Sequence, residues 1–280
     1  MEFASFYNDL GVKVTIIEAL TNILPNEDED ISKIVQNNFV KRGIDIKTGT
    51  SLKSVQIKSD SVISEISKDG KNKLINTEKL ILAVGIVSNT ENIGLEKFNI
   101  KIDKGHIVTN KFLETDEEGI YAIGDVTGGP WLAHKASHEG ILCVEKIAGK
   151  SDLSPLDKSS IPGCTYCRPQ VASIGLTEKN AKLNNINIKV GKFPFIGNGK
   201  AIALGDSEGL IKTIFNNDTG ELIGAHMVGP EVTELIQGFS IAKKLETTEH
   251  ELMHTIFPHP TLSEGMHESV LDAYNQAIHY

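Results

Sequence analysis

Residues 11–18 read Gly-Val-Lys-Val-Thr-Ile-Ile-Glu, a glycine followed by a run rich in β-branched residues that ends in a carboxylate. Such a run is typical of a buried parallel strand, because both faces of that strand are covered. Amphipathic helices are predicted before it at residues 3–10 and after it at residues 31–39. Glu18 ends this strand just after a helix, where the acidic residue of a dinucleotide-binding βαβ unit would lie.

An acid in the position of Glu18 accepts hydrogen bonds from a ribose 2′-hydroxyl and repels a 2′-phosphate, which favours NAD over NADP. The glycine fingerprint of such folds is absent from the sequence, and a lone acid at a strand end is usually a solvated surface residue. No strand or phosphate-binding loop precedes the helix of residues 3–10. We therefore expect the chain to begin inside a fold.

The next part of the chain is rich in strand patterns. Strands are predicted around residues 44–57, 61–66 and 74–75, with a hairpin turn at Asp69-Gly70 and another buried strand at residues 79–85.

After residue 88 the pattern changes twice. A small module is predicted first, with short strands at 107–108 and 120–123 and a helix at 132–147. A linker at 151–162 then leads to a hairpin of residues 210–228 and a helix that opens at Pro230. Strands followed by helices predict an α+β domain at the end of the chain.

Composition excludes several classes of protein. A net charge of −9 over 280 residues argues against nucleic-acid binding, which requires clustered Lys and Arg. The apolar runs are far shorter than the roughly 20 residues of a membrane span, and no basic leader follows Met1. Three cysteines are too few for a disulfide scaffold, so we expect a cytoplasmic protein.

Residues 119–125 read Gly-Ile-Tyr-Ala-Ile-Gly-Asp, an apolar strand that delivers one carboxylate, Asp125, through a glycine. Pro130 then precedes a helix, whose positive end near residues 132–134 would stabilise negative charge on a bound group. The alternative is a plain strand-turn-helix in which Asp125 is a cap.

His259 lies between Pro258 and Pro260, which restrict the backbone and present the imidazole rigidly, just before a helix expected to begin near Thr261. A rigid imidazole suits acid/base chemistry, and Glu264 is close enough in sequence to orient it. Thr261-Leu262-Ser263-Glu264 is also a capping box, in which Glu264 reaches back to the Thr261 amide.

Two other motifs suggest alternative functions for the chain. His250-Glu251-Leu252-Met253-His254 matches H-E-x-x-H, the zinc metallopeptidase pattern, but Pro258 leaves the helix little room. Cys164 and Cys167 have C-x-x-C spacing without a second pair, and Arg168-Pro169 breaks the segment. We interpret these cysteines as packed thiols and predict no metal site.

In this order the motifs resemble the class I flavin disulfide reductases over essentially the whole chain. Residues 11–18 resemble the second strand of the family's NAD domain, which implies that Glu18 lies at the adenosine ribose. Glu2 matches the acid that follows the family's glycine fingerprint and lies towards the nicotinamide. Gly85 matches the strand end that approaches NAD, although Ile86 stands where many members have Arg.

Residues 115–125 resemble the family's second FAD motif, which implies that Asp125 binds the ribityl chain of the flavin. The loop and helix start beneath the flavin are matched by Trp131, Leu132, Ala133 and His134, with Trp131 in place of a more common Met. Residues 258–264 resemble the family's C-terminal signature, which implies that His259 is the acid/base and Glu264 its partner. The family has no histidine pair at 250 and 254, so the resemblance makes that match accidental.

The resemblance implies a truncated Rossmann-like NAD domain at 1–87, a central FAD-associated segment at 88–156 and an α+β dimerisation domain at 157–280. It implies FAD and NAD as cofactors, a homodimer, and oxidation of dihydrolipoamide on the lipoyl domains of 2-oxo acid dehydrogenase complexes or the glycine cleavage system.

The family's redox cysteine pair and first FAD loop have no counterpart in the sequence, and we expect a truncated, inactive chain. A glutathione or mercuric reductase and a non-catalytic dimerising fragment are the alternatives. Glu18 and the residues around His259 favour the dihydrolipoamide-oxidising branch.

Overall fold

A computed structural model describes residues 1–280. The helices α1 to α8 span Glu2–Asp9, Glu29–Lys41, Ala133–Ile147, Glu178–Leu183, Gly199–Leu204, Val232–Lys244, Glu249–His254 and Glu264–Asp272. The strands β1 to β12 span Thr15–Ile17, Asp45–Lys47, Ser51–Ile57, Val62–Lys68, Lys71–Thr77, Ile102–Asp103, His106–Ile107, Gly163–Thr165, Gln170–Gly175, Ile188–Pro194, Leu210–Asn216 and Leu222–Gly229. None of the eight helices combines the length and the apolarity that crossing a membrane requires.

The strands form four sheets. β1 and β2 pair in parallel, whereas β3, β4 and β5 form an antiparallel meander whose second turn is Asp69-Gly70, as predicted. The largest sheet is antiparallel with the strand order β10-β11-β12-β9-β8, and it contains the predicted hairpin of β11 and β12. β6 and β7 form a small separate hairpin.

The chain divides into two compact units, one of Met1–Leu80 with Pro162–Tyr280 and one of Ile81–Ile161. The five-stranded sheet is the centre of the first unit. Because successive strand residues face opposite sides, Met227 of β12 packs with Phe239 of α6, while Val228 packs with Phe39 of α2. Each fully buried apolar side chain of this kind contributes about 1.5–3 kcal/mol to folding. The three domain boundaries given above stay a prediction.

A buried ion cluster joins α2 to the sheet. Lys212 of β11 is 1% exposed, and its Nζ lies 2.7 Å from carboxylate oxygens of Asp28, Asp30 and Glu178. Asp28 is the N-cap of α2, where its side chain accepts a hydrogen bond from the Asp30 amide. The same carboxylate also holds the buried lysine.

The predicted buried strand at residues 79–85 is wrong. No strand forms there, and Leu82 and Val84 are exposed. A strand needs a neighbour to receive its backbone hydrogen bonds, and β1 and β2 pair only with each other. Apolar sequence alone therefore does not make this segment a strand.

Other predicted strands are shorter in the structure. Of residues 12–17 only Thr15–Ile17 pair, and of residues 120–123 only Tyr121 does, in an isolated bridge with Glu114. Gly119 and Gly124 flank the latter segment with φ of +78° and +76°, conformations outside the extended range of a strand.

Candidate functional site

His259 and Glu264 meet at the start of α8. Nδ1 of His259 lies 2.9 Å from Oε1 of Glu264, and the imidazole is largely exposed. The other oxygen, Oε2, accepts the Thr261 amide at 2.9 Å. One carboxylate thus binds the imidazole with one oxygen and the Thr261 backbone amide with the other, and only this half of the capping box predicted from the sequence is present.

The helix itself begins at Glu264, three residues after the position expected for it. The Thr261 hydroxyl donates to the Pro258 carbonyl at 2.6 Å instead of capping a helical amide. This bond closes the turn that carries His259. The Asn198 side chain also donates to the Thr261 carbonyl at 3.0 Å, which fixes the turn to the segment before α5.

Hydrogen bonds decide the charge of Glu264. Burial opposes its ionisation, but the Thr261 amide and the His259 ring outweigh burial and hold the pKa of Glu264 below its usual value. An ionised Glu264 accepts the Nδ1 proton of His259, so the neutral ring carries its lone pair on the solvent-facing Nε2. That nitrogen is the atom able to take a proton from a bound substrate.

In the second unit, Asp125 lies in a 3₁₀ turn, Gly124–Thr127, with its side chain exposed. A buried pair on α3 holds this turn. Nζ of Lys135 lies 3.0 Å from Oε1 of Glu139 and donates to the carbonyl oxygens of Gly124, at 3.1 Å, and Gly128, at 3.0 Å. Oε2 of Glu139 accepts the Gly124 amide at 2.6 Å. Lys135 and Glu139 thus hold both ends of the turn through these hydrogen bonds.

The residues after this turn lead into α3. Leu132 is the N-cap of that helix, Ala133 and His134 begin it, and Trp131 is 41% exposed. Trp131 lies beside His106, with ring centroids 6.0 Å apart, and Nδ1 of His106 lies 2.6 Å from Oγ of Ser88. Ser88 and His106 therefore support the turn from another side.

The residues expected at NAD lie in both units. Glu18 follows β1 in the first unit, where its Oε1 accepts the Leu20 amide at 2.8 Å and its backbone extends the pairing with β2. Glu2 begins α1 and accepts the Tyr166 amide at 2.8 Å. Gly85 lies in the second unit, in an exposed irregular segment with φ of +133°.

The donor set around Asp125 fits a flavin. An exposed carboxylate on a preformed turn can accept the hydroxyl protons of a ribityl chain. The N-terminus of α3, a 15-residue helix, presents a positive end that suits an anionic ring. Asp125, Leu132 and Ala133 are thus the residues that would hold the group.

The three cysteines are free thiols, as interpreted from the sequence for Cys164 and Cys167. Burial raises the pKa of Cys143 and Cys164, and it raises the pKa of Cys167 to about 11. Sγ of Cys167 also donates to the Pro169 carbonyl at 3.1 Å. Protonated thiols are poor nucleophiles, so these cysteines do not have the character of a redox pair.

The zinc-peptidase match is not supported by the geometry. Oε2 of Glu251 accepts both the amide and the hydroxyl of Thr248 as the capping box of α7, so the carboxylate serves as a helix cap. No group of three or more His, Cys, Asp or Glu side chains is arranged to hold a metal ion.

Two family models match the sequence. Residues 1–140 match pyridine nucleotide-disulphide oxidoreductase, and residues 161–270 match the pyridine nucleotide-disulphide oxidoreductase dimerisation domain. The chain belongs to the pyridine nucleotide-disulphide oxidoreductase family, a class whose mixed α/β fold agrees with the fold class predicted.

Among individual relatives, the chain is 54% identical over 279 residues to the dihydrolipoyl dehydrogenase of Rhizobium etli, covering 99% of this chain and 58% of that protein. It is 45% identical over 282 residues to the dihydrolipoyl dehydrogenase of Bacillus subtilis, covering 100% of this chain and 59% of the relative. The chain therefore spans less than two thirds of the length of these relatives.

Solved structures agree on the fold. LpdA from Mycobacterium tuberculosis superimposes with a TM-score of 0.88 at 27% identity, covering 96% of this chain and 58% of LpdA. The HOCl-induced flavoprotein disulfide reductase RclA from Escherichia coli gives 0.87 at 26% identity, with 96% and 61% coverage.

Lys135 and Glu139, which hold the Asp125 turn, were not predicted from the sequence. Their i,i+4 spacing was the available signal, but on most helices such a pair is exposed. Only the packing of the turn against α3 reveals that this pair is buried.

Proposed function

We propose that the protein oxidises protein-bound dihydrolipoamide with NAD, through FAD, and that this chain supplies its acid/base histidine. The observation that carries the proposal is the His259–Glu264 pair, an exposed imidazole held at 2.9 Å by an ionised carboxylate. The similarity to dihydrolipoyl dehydrogenases of two bacteria supports it.

His259 acts as the base. Nε2 takes the proton from a dihydrolipoamide thiol, and Glu264 stabilises the imidazolium that results. The thiolate left behind is the form that attacks a disulfide, which the three thiols of this chain do not provide. When bound, FAD supplies the transfer of electrons between a dithiol and NAD.

Other residues of the chain bind and orient the two cofactors. Asp125, Leu132 and Ala133 hold the flavin with Trp131 and His134 beside them, and Lys135 and Glu139 keep the Asp125 turn in place. Glu18 accepts a ribose hydroxyl with the oxygen that Leu20 leaves unused, which favours NAD over its phosphorylated form. Glu2 and Gly85 are further candidates for contact with NAD.

The match of residues 161–270 to a dimerisation domain supports a homodimer in which His259 serves the partner subunit's active site. The protein partners proposed are the lipoyl domains of a 2-oxo acid dehydrogenase complex or of the glycine cleavage system. Free thiols suit a reducing compartment such as the cytoplasm, where we place the protein.

The test joins this chain to the part of the Rhizobium etli relative that it does not match. The fusion is expected to form NADH from dihydrolipoamide and NAD. A His259→Gln variant is expected to lose at least ~100-fold in kcat, the usual contribution of a general base. The control His250→Gln replaces an exposed histidine outside the site and should keep its kcat. Activity only with glutathione disulfide and NADPH would contradict the proposal. A folded, flavin-loaded dimer without turnover would show a non-catalytic scaffold instead.

A further inference from the structure

We propose that His250 and His254 form a two-ligand surface site for a divalent transition-metal ion of the Cu²⁺, Ni²⁺ and Zn²⁺ group. The site is separate from the proposed dithiol chemistry and does not depend on it. Both side chains are exposed on α7, and their ring centroids lie only 4.4 Å apart with a tilt of 33°.

The spacing suits chelation. Histidines at i and i+4 of a helix project from one face, the arrangement by which helices present two imidazoles to one ion. Two imidazole nitrogens on one ion lie roughly 3 Å apart, given metal–nitrogen distances near 2.1 Å. Small rotations of two side chains in open solvent bring these adjacent rings to that separation.

The hydrogen bonding leaves the ligating atoms available. Nδ1 of His254 lies 2.7 Å from the carbonyl oxygen of His250, so this nitrogen carries the proton. Nδ1 of His250 faces Oε1 of Glu251 at 3.7 Å, which favours the same tautomer. Both rings then present the lone pair of Nε2, and the His250 carbonyl at Nδ1 of His254 orients that ring as hydrogen-bond acceptors orient metal-bound histidines.

The surrounding charge favours a cation. Glu249 and Glu251 lie on the same helix, Glu246 precedes it, and no Lys or Arg occurs from residue 245 to residue 280. His254 is the last residue of α7, at the negative end of the helix. The acidic side chains at the N-terminal end of α7 and the carbonyl groups at its C-terminal end therefore do not repel a bound cation.

Two protein ligands leave the remaining coordination positions to water. Because Glu251 is used by the Thr248 cap, no general base faces the ion, and we assign no peptidase activity to the site. Imidazole ligands and an open coordination sphere select the borderline transition ions, with Cu²⁺ bound most tightly in the Irving–Williams order.

The test is a calorimetric titration of the chain with Ni²⁺ in buffer free of chelators. One ion is expected per chain, with affinity at least tenfold lower in His250→Ala and in His254→Ala. Circular dichroism shows whether each variant keeps its helices.

Three controls separate the pair from other ligands. His138→Ala breaks the second i,i+4 histidine pair of the chain, His134 and His138 on α3, and should leave the affinity unchanged if the ion binds on α7. The double variant His254→Ala/Thr255→His keeps the number of histidines but changes the spacing, and it should not restore binding. Equal binding by wild type and the His250→Ala/His254→Ala variant, or loss of binding in Cys164→Ser, would overturn the proposal.

Discussion

Lys212 lies in the interior with three carboxylates around its ammonium group, each at 2.7 Å. Burial disfavours its charge, but the bonds to Asp28, Asp30 and Glu178 outweigh burial and raise the pKa of Lys212. The side chain of Asp28 is only 2% exposed, so this carboxylate and the ammonium group of Lys212 are buried together.

We expect Lys212→Met to lower the free energy of unfolding by about 3 kcal/mol, since it leaves a buried carboxylate without a counter-charge. Urea unfolding followed by circular dichroism measures this change. The double variant Lys212→Met/Asp28→Asn should recover part of the loss. No recovery would show that the lysine acts through packing and not through its charge.

Asp30 gives the cluster a pH dependence. Burial raises the pKa of Asp30, but hydrogen bonds with Lys192 and Lys212 outweigh it and lower the pKa to about 2. A depressed pKa stabilises the fold above the unfolded value of 3.8, and the stabilisation is lost as the pH falls towards 2.

Asp30→Asn should therefore cost about 1 kcal/mol at neutral pH, less than the full shift implies because Asp30 is partly exposed and screened. The difference between wild type and variant should close between about pH 4 and pH 2. Urea unfolding across this range measures it, and a difference that does not vary with pH would contradict the assignment.

At the scale of elements, α3 holds the Asp125 turn through the buried Lys135–Glu139 pair. Lys135→Met should destabilise the second unit by about 3 kcal/mol, because Glu139 is then buried without a counter-charge. Trp131, the single tryptophan of the chain, lies beside the turn, so its emission reports the change during thermal unfolding.

Lys150→Met is the matched control, since Lys150 makes an exposed ion pair with Glu145 at 2.6 Å. Such pairs contribute at most about 1 kcal/mol, so this variant should unfold much like wild type. Equal effects of Lys135→Met and Lys150→Met on Trp131 emission would refute the role of the buried pair.

The close packing of α8 on β10 positions Glu264. A Cβ atom on Gly191 would lie 1.8 Å from the carbonyl oxygen of Ser269 and 2.7 Å from the amide of Ala273. Gly191→Ala should therefore cost about 2 kcal/mol or more through overpacking. Gly199→Ala, where nothing lies within 4 Å, should be nearly neutral. Thermal melts compare the two, and similar melting temperatures would contradict this packing.

Local patterns predicted the elements whose signals are local. The α2 face, the Asp69-Gly70 turn and the hairpin of β11 and β12 follow from apolar spacing and turn residues, and the structure confirms them. The strand predicted at residues 79–85 does not form, because a strand depends on neighbouring strands that its own sequence does not specify.

For the whole molecule, the resemblance of motifs taken in order predicted the family, which the matches of residues 1–140 and 161–270 confirm. The His259–Glu264 contact was predicted as one of two alternatives, and the coordinates show it together with the bond from the Thr261 amide to Glu264, although Thr261 is not the cap of α8. The clusters around Lys135 and Lys212 could not be predicted, because each joins residues whose burial depends on packing between separate elements.

In the proposed reaction, His259 is the base that deprotonates the dithiol. The most direct measurement is the rate of flavin reduction in the fusion protein, by rapid mixing with dihydrolipoamide and separately with NADH. In His259→Gln we predict reduction by dihydrolipoamide to slow at least ~100-fold, while reduction by NADH is nearly unchanged. Equal slowing with both reductants, or no slowing with dihydrolipoamide, would contradict the account.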